Sequence, residues 1–281
     1  MRALGYRPDP PDPEDFDALG AITTASPPPS ASTADRVLIV DQGALGSCTS
    51  NAVGQAVRVA EIKLLIDHWG MTLEKAQARV EFMARLFPWY FARALEHETQ
   101  VNAGTHIRYI FQILNTFGFP PESAWPYSDD TDPKTGAFAK MPSSAAFRRA
   151  FDQRLAAENG GTKVVKYSRI SSSGYARVTD VQRAVADGML VVFGTDVSND
   201  FCNDMTANGG RPIEPPTGGG IAGGHAMAVG AYDQNGADIV NSWSERFGIN
   251  GWCRFSWDYI AWDRTRDLWI VERAPILAIA A

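Results

Sequence analysis

An α+β architecture, with a helical half followed by a β-rich half and a cleft between them, is the fold class that this chain predicts. Two observations carry it. Apolar residues recur at three- and four-residue steps between about 45 and 120, whereas from Val164 onward they gather in short runs bounded by glycine and polar residues. A third observation places chemistry at the start of the first helix: Asp41 to Asn51 combines an amide side chain, a glycine-rich turn and the lone Cys48.

The helical half begins at Cys48. Val53, Ala56, Val57, Ala60 and Leu64 mark one face of a helix behind it, and Ser47 is placed to cap the first turn with its hydroxyl. A cysteine at a helix N-terminus faces unpaired amides and the positive end of the dipole, which can lower its pKa to about 3.5 to 7.5. Cys48 is therefore the candidate nucleophile. From Thr72 to Glu98 a stripe of Leu73, Ala76, Val80, Met83, Ala84 and Phe87 predicts helix, with Pro88 forcing a break or kink. Ile107 to Phe117 predicts another helix, stopped by Gly118 and the prolines at 120 and 121.

Ser128 to Lys140 reads as loop. Strands are expected at Val164 to Ile170, Met189 to Val197, Val229 to Tyr232, Asp238 to Trp243, Gly251 to Phe255 and Leu268 to Arg273, with a short helix at Val178 to Asp187. This half is expected to form a sheet or half-open barrel.

The chain has 281 residues, 45% hydrophobic and 21% charged, enough for a lobed body with real cores. Its net charge of -6 argues against nucleic acid as a partner, since phosphate binding needs a basic excess. No apolar run approaches the roughly 20 residues that span a bilayer, so no membrane partner is expected. The first residues carry prolines and acids rather than a secretory leader, which points to the cytoplasm or to export without a recognisable leader. With Cys48, Cys202 and Cys253 alone, no disulfide framework is indicated, and the latter two read as buried free thiols. Neither a paired-histidine helix motif nor a phosphate loop is present, so no metal and no cofactor is expected.

Residues 1 to 36 form a separate region, a proline-rich arm holding seven of the 17 prolines. Composition favours a disordered or extended polar segment; the alternative is an arm that lies along the body and covers a site.

Cys48 needs a base. Of the four histidines, His225 stands out because Gly223 and Gly224 precede it, leaving room for a substrate to approach, and a strand-like run follows. His68 and His97 read as solvated surface residues, and His106 as surface or cleft wall.

Gln42 to Asn51, His225-Ala226-Met227, and Asn241-Ser242-Trp243 followed by Phe247-Gly248 and Gly251-Trp252 resemble the three signature blocks of papain-like cysteine peptidases, in that family's order. Gln42 stands six positions before Cys48 and Asn241 sixteen after His225, matching spacings. Ala84 to Phe87, Asn102 to Thr105 and Glu122 to Tyr127 resemble the family's bacterial branch.

The resemblance implies a two-lobed fold, a helical left lobe (about 45–125) and a β-barrel-like right lobe (about 126–275) within a peptidase domain of 37–281. It implies roles for individual residues. Cys48 would be nucleophile, His225 acid and base, Asn241 the group that orients His225, and Gln42 an oxyanion donor. Trp243 would shield the histidine–asparagine pair, and Gly104, beside Ala103, would pair with an extended peptide. It implies a peptide or protein substrate and an acyl-thioester route. The family's N-terminal segments that occupy the cleft are usually longer and helical; the expectation here is that the short proline-rich arm packs over or near the cleft and limits access. A transpeptidase or amidase, or a non-catalytic peptide-binding scaffold, are the alternatives.

Leu45, Thr49, Ala103, Ser244 and Phe247 depart from the family pattern. The 177 residues between Cys48 and His225 exceed the common spacing of about 130 to 150. The surplus is assigned to 128–163 and to 202–222, the latter a candidate lid.

Overall fold

The computed structural model describes residues 3–159, 163–203, 210–217 and 220–275. The helical layer comprises α1 (Cys48–Trp69), α2 (Leu73–Arg79), α3 (Leu86–Leu95), α4 (Ile107–Phe117) and α5 (Ser144–Asn159). The β-rich layer comprises β1 (Ala31–Ser32), β2 (Lys166–Ile170), β3 (Val191–Ser198), β4 (Ile221–Asp233), β5 (Gly236–Val240), β6 (Trp252–Phe255) and β7 (Thr265–Arg273). The helices α6 (Gly174–Ala186), α7 (Asn199–Asn203) and α8 (Trp257–Ala261) accompany it. The result is a two-lobed α+β fold.

Every residue of the first turns of α1, from Cys48 to Val57, is buried, so this helix is packed on all sides rather than along one stripe. Further on, Ile62 and Leu65 face the interior and Leu64, expected in the stripe, is only partly covered. Gly70 ends the helix in the left-handed region at φ 62°, its N–H returning to the carbonyls of Leu65 and Ile66.

The helical stretch expected over 72–98, with its break or kink at Pro88, is two helices that divide before Pro88. Residues 80–85 are pulled out of helical geometry by backbone pairing: Ala84 N donates to Pro120 O at 2.9 Å and Glu122 N to Phe82 O at 2.8 Å. Pro88 breaks nothing, because it is the third residue of α3, where an amide has no intrahelical acceptor. The helix α5 has no counterpart among the sequence expectations, since its buried positions include the small Ala146 and Ala150 and give little periodic signal. Those alanines pack on Ala84 and Phe87, with Phe91, Phe117 and Phe147 alongside. The lobe boundary expected near 126 therefore moves: the chain through α5 packs with the helical lobe.

The sheet runs β2-β7-β3-β4-β5-β6 with antiparallel neighbours throughout, and β1 joins β4 through Ala31 opposite Tyr232. Its central strands feed two cores by alternation. Val192, Ala226, Ala228, Trp269 and Val271 pack with α1, while Val191, Phe193, Met227, Val229 and Ile270 pack with α6 and α8 on the opposite face. Burial on both faces explains the unbroken apolar runs of β3 and β4.

Of the candidate lid at 202–222, residues 204–209, 218 and 219 lie outside the described residues. Ile213 is tied to the sheet, its N–H donating to Arg254 O at 2.8 Å. Neither Cys202 nor Cys253 is in a disulfide, and both are half-buried rather than buried.

The arm is not a loose tail. Tyr6 enters one core, Ala18 and Ile22 the other, and Thr33 N donates to Gly230 O at 2.7 Å. Its acids meet the body in a buried charged cluster. Arg108 and Arg169 both pair with Asp15, and Arg169 also with Asp267. Asp9 instead takes neutral donors, Arg108 N at 3.1 Å and the Trp269 indole at 2.9 Å. Two carboxylates thus take the two guanidiniums, and the third, Asp9, has none of its own. Burial, and then the nearby Asp267 charge, push the Asp9 carboxyl up from 3.8 to about 7.

A docked arm therefore holds a proton that a free arm gives up. Docking is at full strength below the free carboxyl's pKa of 3.8 and weakens as pH rises toward about 7, beyond which it levels off. Hydrogen-exchange protection factors of the Tyr6 and Arg7 amides, corrected for intrinsic rates, should fall between pH 5 and 7 on the order of tenfold, and Asp9→Asn should flatten the curve.

Candidate active site

Cys48 occupies the first position of α1 and is fully buried. Ser47 stands at the N-cap, but its hydroxyl does not cap the helix. Tyr127 donates its proton to Gln42 O at 2.9 Å, so the 2.7 Å contact between the two hydroxyls is a donation from Ser47 to Tyr127. Asn51 Nδ2 in turn donates to Ser47 Oγ at 2.9 Å.

His225 lies on β4 opposite Thr195 of β3, which fixes its backbone against the sheet, and Ala226 N donates to Cys48 Sγ at 3.4 Å. His225 Nε2 is 2.8 Å from Asn241 Oδ1, just past β5. The same Oδ1 accepts Ser242 N at 2.7 Å, which settles the amide orientation. A carbonyl oxygen accepts only a protonated ring nitrogen, so neutral His225 carries its proton on Nε2 and keeps Nδ1 basic. Trp243 stacks on the imidazole with centroids 4.5 Å apart and planes 26° apart. Buried itself, it keeps water from the Nε2–Oδ1 contact.

The Gln42 side chain is held at both ends. Its Oε1 accepts Ser242 Oγ at 2.6 Å, and its Nε2 donates to Leu45 O at 2.8 Å and to Ala3 O of the arm at 3.0 Å. A carbonyl oxygen from the arm therefore already sits on an amide donor beside Cys48.

The arm fills the space between the lobes here. Gly5 N–H makes a hydrogen bond to Cys48 Sγ, Thr105 N donates to Gly5 O at 2.8 Å, and Tyr6 N donates to Gly224 O at 3.1 Å. Ala103 and Gly104 lie beside this pairing. The hydrogen bonds nevertheless come from Thr105, one residue beyond the expected Gly104, which meets the arm by close approach. The lowered thiol pKa expected from the helix start is not what this arrangement gives. Burial under the arm pushes Cys48 up to about 11, while the amides of Ala226, Gly5 and Thr49 pull it partly back.

Three supporting residues carried no individual role in the sequence reasoning, although their strings were noticed. Arg85 Nη1 donates to Asp41 O at 3.0 Å and Asn51 Oδ1 at 2.9 Å, while Nη2 pairs with Glu122 at 2.9 Å. Its guanidinium also stacks 3.8 Å over Tyr127. Asn102 pins the turn before Cys48, accepting Gly46 N at 2.8 Å and donating to Ala44 O at 2.9 Å. Ser242 orients Gln42. A distant buried partner leaves no periodic trace in a sequence, which is why these roles were missed. Among the described residues no group of three His, Cys, Asp or Glu side chains is placed to hold a metal, and no helix is long and apolar enough to cross a membrane.

No family model matches the chain. An uncharacterized peptidase C1-like protein of Acanthamoeba polyphaga mimivirus is 30% identical over 248 residues, covering 85% of this chain and 71% of the relative. The chain belongs to the papain-like cysteine peptidases.

Among solved structures the peptidase is similar to xylellain, a cysteine protease from Xylella fastidiosa, with a TM-score of 0.74 and 26% identity over 98% of this chain and 97% of that one. A digestive procathepsin L 3 from Tenebrio molitor shares the fold at a TM-score of 0.63 and 15% identity, covering 96% of this chain and 75% of that one. Bromelain of Ananas comosus, solved with the E64 inhibitor, shares it at 0.58 and 16%, covering 88% of this chain and 100% of that one.

Replacing Arg85 by Leu in this peptidase would strand the Glu122 carboxylate and the Asn51 and Asp41 oxygens together. Urea unfolding should show a loss of about 3 kcal/mol.

Proposed function

We propose that this peptidase cleaves peptide bonds through Cys48, His225 and Asn241, and that its own N-terminal arm restrains it. The observation that carries the reading is the arrangement at the helix start. Cys48 meets the β4 backbone beside His225, whose tautomer Asn241 fixes, and a carbonyl oxygen rests on the Gln42 amide.

With the arm displaced, water reaches the cleft and the desolvation that raises the Cys48 thiol is relieved. The thiol proton passes to His225, giving a thiolate and an imidazolium. The thiolate attacks the substrate carbonyl carbon, and the oxyanion is held by Gln42 Nε2 together with the Cys48 amide. His225 then gives its proton to the leaving amine, and an acyl-thioester remains on Cys48. Water, deprotonated by His225, attacks the thioester; the acid leaves and the thiol is restored. Asn241 keeps the imidazole in register through both halves.

The arm supplies the restraint because it presents an N–H to the sulfur rather than a carbonyl carbon. Gly5 is also the position where the arm can be lifted. A Cβ there would stand 1.8 Å from Gly46 O and 2.4 Å from Gly46 C, both backbone atoms that cannot step aside.

Gly5→Ala in the full chain should therefore expel this segment, raising both alkylation of Cys48 by a thiol reagent and turnover of a fluorogenic peptide on the order of tenfold or more. In that background Cys48→Ser or His225→Ala should lower turnover on the order of a thousandfold or more, and Gln42→Ala on the order of a hundredfold. Unchanged alkylation in Gly5→Ala would overturn the restraint; undiminished turnover without Cys48 would overturn the peptidase mechanism.

A further inference from the structure

Tyr6 follows the residue whose amide touches Cys48 Sγ, and its side chain is 6% exposed. The ring lies in a slot made by two missing side chains. A Cβ at Gly194 of β3 would fall 2.0 Å from the ring's Cζ, and one at Gly224 of β4 would fall 3.0 Å from its Cδ1. Any larger residue at Gly194 closes the slot.

Asp267 of β7 stands at the end of the slot, in the left-handed region at φ 52° and 4% exposed. Its Oδ2 accepts the Tyr6 hydroxyl at 2.5 Å and Asp9 N at 2.6 Å. Its Oδ1 is engaged by Arg169. Burial, followed by the Asp267 charge, holds the Tyr6 phenol far above its ordinary pKa, so it stays a neutral donor.

Resting on the peptidase reading, we propose that this slot is a substrate subsite that selects a tyrosine side chain, the Gly194–Gly224 gap admitting the flat ring and Asp267 Oδ2 reading its hydroxyl. The arm's Tyr6 is then a built-in occupant of the place a substrate residue takes. Phenylalanine fills the same gap but leaves a buried carboxylate oxygen short of a donor, and a site built to bond a hydroxyl rejects the analogue lacking it. A cationic side chain gains little, because Arg169 already neutralises Asp267 from the other side. The selected class is peptides bearing tyrosine at the position nearest this slot.

The test uses the full chain carrying Gly5→Ala and blocked tetrapeptides of one sequence, varied one position at a time among Tyr, Phe and Arg. Two readouts are taken, protection of Cys48 from alkylation and cleavage. At one position the Tyr peptide should protect at about a tenfold lower concentration than its Phe or Arg counterparts. Asp267→Asn, a residue that tolerates left-handed backbone, should shrink that ratio to about twofold. Equal protection by Tyr and Phe at every position overturns the proposal, even if the peptides are cleaved. Selective protection by Tyr without cleavage of any peptide leaves the slot standing and overturns the peptidase reading instead. Tyr6→Phe in the otherwise unaltered chain gives an independent reading: losing the same hydrogen bond should speed Cys48 alkylation about tenfold, and an unchanged rate counts against the slot.

Discussion

The start of α1 is carried into the protein interior, and the rest of the structure follows from the need to partner it. A buried helix start presents amides that water cannot reach. Here Thr49 N–H turns to the Cys48 sulfur, where it is joined by Ala226 N–H from the sheet and Gly5 N–H from the arm. One sulfur atom is thereby a meeting point for the helical lobe, the β-rich lobe and the N-terminal segment. The same burial that brings them together pushes the thiol up and favours its neutral form.

The surroundings of that helix start are kept in place by groups that each fix another. Ser242 holds the Gln42 amide with its hydroxyl, and its backbone N–H holds the Asn241 carbonyl that faces His225. Tyr127 links Gln42 O to Ser47, and Arg85 lies under Tyr127 while binding Asp41 O and Asn51. Loss of one member leaves a buried polar atom of its neighbour unsatisfied, and the cost is the desolvation of that atom rather than the small net value of one hydrogen bond.

The arm joins this network at two kinds of contact. Near Cys48 it uses backbone hydrogen bonds and a glycine, which only close approach permits. Further along it uses charge, with Asp9 and Asp15 among Arg108, Arg169 and Asp267. The first kind is insensitive to pH and the second is not, because a third carboxylate has no guanidinium of its own.

Much of this was legible before any coordinates. The 3.6-residue period gave α4 at its observed bounds and located the start of α1, and the apolar runs gave the inner strands, while the resemblance to papain-like signature blocks marked Gln42, Cys48, His225 and Asn241 as one group. Local physics sufficed for those helices and strands, because period, turn residues and propensity are properties of neighbouring positions. It failed for residues 80–85 and for Pro88, where backbone pairing with 120–122 overrode helix propensity, and for α5, whose alanine face needs a partner before it reads as a face.

What the sequence determined by itself was the class of fold, the order of helical and β-rich halves, and the chemical identity of the residues at the cleft. Tertiary structure alone decided the path of the arm, the state of the Cys48 thiol and the slot around Tyr6. Each of those depends on atoms brought together from distant parts of the chain, as when Tyr6 meets Gly194, Gly224 and Asp267. Burial and hydrogen bonding between such atoms are set by packing, and no local pattern encodes the neighbour that packing will supply.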